Sequence, residues 1–71
     1  MATNYLPLDW GAIVKLAKAR RKEEGLTQMQ VAALAGVSKP SVIEFEKGAR
    51  SLRISTAERI LNVLGLLALE E

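Results

Sequence analysis

The chain has 71 residues, 49% hydrophobic but only 4% aromatic, with a formal charge of +2 and neither cysteine nor histidine. One domain fits that length, and about 60% of its unfolded surface can be buried. The missing thiol and imidazole remove disulfides, zinc-finger ligands and the usual nucleophile–base pairs. Ser38, Ser41, Ser51 and Ser55 have no histidine to activate them, so neither an enzyme nor a metal or cofactor site is expected.

The scarcity of aromatics beside abundant Ala, Leu, Ile and Val points to an all-α fold of short packed helices. No stretch approaches the roughly 20 apolar residues of a membrane span, and residues 1–8 lack a basic start, so a cytoplasmic chain with no membrane partner is expected. A mildly basic balance permits a nucleic-acid partner without requiring one.

Residues 1–8 read as an N-terminal arm, followed by a domain over 9–65. Asp9 can cap a first helix, over about 9–24, in which Trp10, Ile13, Val14 and Ala17 fall on one face and Leu8 can staple to Ile13. Lys15, Lys18 and Lys22 share another face, which reads more simply as a solvated stripe than as a nucleic-acid contact. Trp10, at core spacing, reads as core or interface rather than as a stacking platform.

Gly25 ends that helix, and Thr27 with Gln30 forms a capping box for a second, over about 28–35, with Leu26 and Val31 as its staple. Gly36, Val37 and Ser38 then make a three-residue turn. Ser38 caps a third helix over about 39–47, where Pro40 lies in the first turn and removes no intrahelical bond. Gly48 stops it, and a basic loop leads to Ser55 and Glu58, which read as a capping box for a fourth helix over about 55–64, ended by Gly65. The remaining tail, 66–71, is expected to be a short strand or a partial fifth helix.

Two short helices joined by a glycine-containing turn can place the second helix in the DNA major groove. Leu26, Thr27, Gln28, Val31, Ala32, Gly36, Val37, Ser38, Val42, Phe45, Glu46, Lys47 and Gly48 carry, at these spacings, a pattern that resembles the Cro/repressor (XRE-type) helix-turn-helix family. The resemblance implies a compact lambda-repressor-like domain of four helices and a transcriptional regulator, expected to be a repressor. It also implies a homodimer reading two half-sites of a palindromic operator in double-stranded DNA.

In that family the positions matching Lys39, Pro40, Ile43 and Glu44 face base edges. The helical period agrees, because inward Val42 and Phe45 leave 39, 40, 43, 44 and 47 outside. Lys39 can donate to guanine and Glu44 accept from cytosine, while Ile43 can pack on a thymine methyl. Each good contact discriminates by about 1–3 kcal/mol. Family members often carry a small polar and a basic residue at positions 43 and 44, so this chain departs there. Glu44 also has a plainer reading as a solvated partner of Lys47.

The same resemblance makes Thr27, Gln28, Ser41, Lys47, Arg50 and Arg53 the expected DNA phosphate contacts, and Arg21 with Glu46 an ion pair linking the first and third helices. Capping for Thr27, a first-turn hydroxyl for Ser41 and ordinary solubility for the cations are the simpler alternatives. In the tail, Leu66, Leu67 and Leu69 are the expected dimer contact. A fourth helix running through Leu64, Gly65 and Leu66 into an apolar end also resembles antitoxins of the HipB type. That resemblance implies, as the second reading, an antitoxin that binds a toxin protein and represses its own operon.

Overall fold

A computed structural model describes residues 9–67. Among them the chain forms four helices and no strand: α1 (Trp10–Glu23), α2 (Gln28–Ala35), α3 (Lys39–Glu46) and α4 (Ile54–Val63). This is the all-α arrangement expected from the composition. Leu66 and Leu67 lie in neither helix nor strand, and the rest of the expected strand or fifth helix falls outside the described residues, as do the N-terminal arm and the Leu8 half of the first staple.

Local chemistry accounts for the starts of the first three helices. The Asp9 carboxylate accepts from the Ala12 N–H at 3.1 Å. At α2 both halves of the capping box are made, the Gln30 N–H donating to Thr27 Oγ1 at 3.0 Å and the Thr27 N–H donating to Gln30 Oε1 at 2.8 Å. Ser38 Oγ accepts from the Ser41 N–H at 3.2 Å, with Pro40 seated in the first turn where no backbone donor is lost.

The fourth start corrects the sequence expectation. Helix α4 begins at Ile54 with Arg53 in the capping position, and no side chain caps it; Ser55 and Glu58 form no capping box. Burial gives the reason. Entry at Arg53 places Leu52 before the cap and Ala57 at the fourth helical position, the two sites of a hydrophobic staple, and Leu52 packs against the core while Ala57 is buried. Entry at Ser55 would assign the staple to Ile54, which is 74% exposed, and the exposed Arg59. Packing of Leu52 outweighs a surface hydrogen bond.

At the C-terminal end of α2, the N–H groups of Gly36 and Val37 donate to the carbonyls of Ala33 and Ala32. The crossed pair requires a left-handed residue, and Gly36 sits at φ +71°. The chain thereby reverses within three residues. Val42 and Phe45 of α3 are then driven into a core shared with Val14 and Ala17 of α1, Val31, Ala32 and Ala35 of α2, and Ala57 and Ile60 of α4. Small residues on α2 let α3 and α4 approach it closely. Trp10 is half-buried and meets Phe45 edge-on, with ring centroids 5.7 Å apart and planes at 89°. Full burial of Phe45 leaves the opposite side of α3 outside.

Candidate nucleic-acid interface

The outer surface of α3 is built by exclusion. Val42 and Phe45 are wholly buried, and the 3.6-residue period then turns Lys39, Pro40, Glu44 and Lys47 to solvent, with Ile43 partly covered. Lys39 and Pro40 stand at the helix start and Lys47 just past its end, so one exposed face carries cation, apolar residue, carboxylate and cation in turn. Glu44 makes no salt bridge among the described residues, although Lys47 follows it by three positions.

The other expected contacts are in differing states. Thr27 Oγ1 is committed as acceptor to the Gln30 N–H, leaving its own O–H free to donate outward. Ser41 is not independent: its hydroxyl lies 2.9 Å from that of Ser38, so one of the two O–H groups is used internally and one remains. Arg50 and Arg53 are exposed on the segment between α3 and α4, and Arg53 also supplies the backbone start of α4.

Behind the face, side chains from three helices meet at one carboxylate. Arg21 of α1 approaches Glu46 of α3 side-on, its Nε 2.6 Å from Oε2 and its outer nitrogen 3.2 Å from Oε1. The remaining guanidinium nitrogen donates to the Leu26 carbonyl at 2.8 Å, just before α2. Gln28, the first residue of α2, donates from Nε2 to Glu46 Oε1 at 3.0 Å. The two charged side chains are only 11% and 6% exposed. Burial by itself pushes the Glu46 carboxyl up, but the hydrogen bonds from Arg21 and Gln28, with attraction from Arg21 and Lys18, hold it below its ordinary value.

Sequence reading did not reveal the Gln28 arm of this cluster, nor two further arginine contacts. Arg20 donates to the Leu64 carbonyl at 3.0 Å, tying α1 to the end of α4. Arg59 reaches the Gly36 carbonyl at 3.5 Å, across from the turn. A Gln at a helix start signals a cap or an anion contact, and nothing local says that residue 46 will come within reach.

A capped α2, a left-handed glycine turn and a buried-inside, polar-outside α3 form the helix-turn-helix geometry. A family model described as helix-turn-helix matches residues 18–71, which span all of it. The chain belongs to the helix-turn-helix family. It is 42% identical over 50 residues to an uncharacterised HTH-type transcriptional regulator of Methanothermobacter thermautotrophicus, covering 70% of this chain and 72% of that protein. A second relative, from Sinorhizobium fredii and also described as an uncharacterised HTH-type transcriptional regulator, is 34% identical over 59 residues, covering 83% of this chain and 74% of the other. This helix-turn-helix chain therefore shares most of its length with both. Among its described residues no helix is long and apolar enough to cross a membrane.

Proposed function

We propose that this helix-turn-helix protein is a cytoplasmic transcriptional regulator that binds double-stranded DNA in a sequence-specific way and acts as a repressor. In this reading α3 enters the major groove. The observation that carries the reading is the exposed face of α3, rigidly backed by Val42 and Phe45 and held from behind by Arg21 and Glu46. Lys39, Pro40, Ile43 and Glu44 read base edges. Thr27, Gln28, Ser41, Lys47, Arg50 and Arg53 hold phosphates and set the register. The names of the two relatives support a regulator.

One motif spans few base pairs, so the active species is a homodimer on a palindromic operator, with half-sites about 34–36 Å apart. Its expected contact includes Leu66 and Leu67, which are half-buried and line a mostly apolar groove with Trp10, Ile13, Leu16 and Leu61; Leu69 lies outside the described residues. Selection of bound duplexes from a random pool tests the whole reading. A recovered inverted repeat with one-turn spacing supports it, whereas no enrichment at low salt overturns it.

The same groove is the observation behind the second reading, an antitoxin whose apolar surface holds a toxin protein while its α3 represses the shared operon. Co-purification of a stoichiometric toxin from the native host would favour this role. A chain that represses alone and carries no such partner would leave the plain regulator.

A further inference from the structure

Glu46 holds more than an ion pair. Its carboxylate has only acceptor sites, and three are filled: two by Arg21 and one by Nε2 of Gln28. A side-chain amide can ordinarily turn over and offer either its oxygen or its nitrogen. Against an ionised carboxylate only the nitrogen is tolerated, so the Gln28 amide has one orientation. Gln28 is also the first residue of α2, where the backbone N–H groups of the first turn lack intrahelical acceptors and the Thr27 hydroxyl still has a proton to give.

We propose that Glu46 is a positioning residue for DNA backbone binding, fixing the Gln28 amide so that its second Nε2 hydrogen is the one offered to a phosphate. The inference rests on the reading that this chain binds DNA through α2 and α3. Glu46 touches no phosphate in it; a carboxylate there would repel one. It acts through Gln28, and the buried pairing with Arg21 keeps it ionised and in place. The same carboxylate thus sets the placement of α3 and the orientation of a donor on α2, which couples the reading helix to the backbone grip.

The test is a double-mutant cycle in DNA affinity. A generic 30-base-pair duplex is titrated with wild type, Gln28→Ala, Glu46→Gln and the double variant, each over a range of salt, with thermal unfolding to establish that every variant is folded. Gln28 is neutral, so losing its phosphate hydrogen bond releases no counterion: the slope of log K against log salt stays as in wild type while K itself falls about tenfold or more, as for a hydrogen bond to a charged group. Each single variant is expected to lose that much affinity, Glu46→Gln doing so although it removes a negative charge, because a glutamine at 46 can accept from or donate to Gln28 and no longer fixes its amide; the double variant is expected to lose no more than Gln28→Ala. Additive losses, or an affinity of Glu46→Gln equal to or above that of wild type, overturn the inference.

Where Glu46→Gln does not fold, the wild-type chain still decides it by nitrogen-15 NMR of the Gln28 side chain. Adding duplex is expected to shift one Nε2 proton strongly and leave the Glu46-bonded one nearly in place. Equal shifts of both, or of neither, sink the proposal. Failure of the wild type to bind any duplex at low salt would instead overturn DNA binding itself, a distinct result.

Discussion

The two faces of α3 obey different physics. Its inner face, Val42 and Phe45 with Glu46 beside them, is closed off from water and bound to three other helices. Its outer face, Lys39, Pro40 and Glu44, touches little of the protein. Identity on the inside is dictated by volume and by the need to pair a buried charge. On the outside it is dictated by nothing in this chain, which leaves those positions open to be set by a partner.

Phe45 is where the two faces should differ most in their response to substitution. Phe45→Ala removes a fully buried ring that also supports Trp10, and should cost about 3–5 kcal/mol in chemical denaturation. A loss under about 1 kcal/mol would mean that the inner face is not the anchor. Glu46→Ala strands the Arg21 guanidinium at 11% exposure and should cost about 3 kcal/mol.

The charge of Glu46 adds a pH signature. Its carboxyl is held below the ordinary value of 4.5, so the unfolded chain takes up the proton first as pH falls. The stability it contributes is therefore present above about pH 4.5 and is lost as pH drops through the lower folded value. Thermal unfolding between pH 7 and 3 should show a decline below 4.5 that is shallower in Glu46→Gln.

On the outer face the expected effects move from stability to recognition. Lys39→Ala should leave the unfolding midpoint within experimental scatter while relaxing base preference at one operator position, by about 1–3 kcal/mol in competition binding. The smallest effect concerns helix starts. Thr27→Ala should cost about 1 kcal/mol because both capping bonds are made, whereas Ser55→Ala should cost under about 0.5, since Ser55 caps nothing. Equal losses would return the start of α4 to Ser55.

Residue spacing was enough to specify the helices wherever the signal is local. Asp9, Thr27 and Ser38 sit within three residues of the N–H groups they cap, and Gly36 needs only its own left-handed φ to turn the chain. Val42 and Phe45 were legible as core from the helical period, and the outer face of α3 followed from them. Features that depend on distant partners emerged only from the packed fold. The start of α4 moved from Ser55 to Arg53 because Leu52 and Ala57 pack against a core assembled from the other helices, and no local pattern weighs that burial against a hydrogen bond. Likewise Gln28 reads as an exposed helix start until the fold carries Glu46, eighteen residues away in the chain, to 3.0 Å from its amide. Hydrogen bonds of short reach are written in spacing; those that close long loops exist only once the core has brought their ends together.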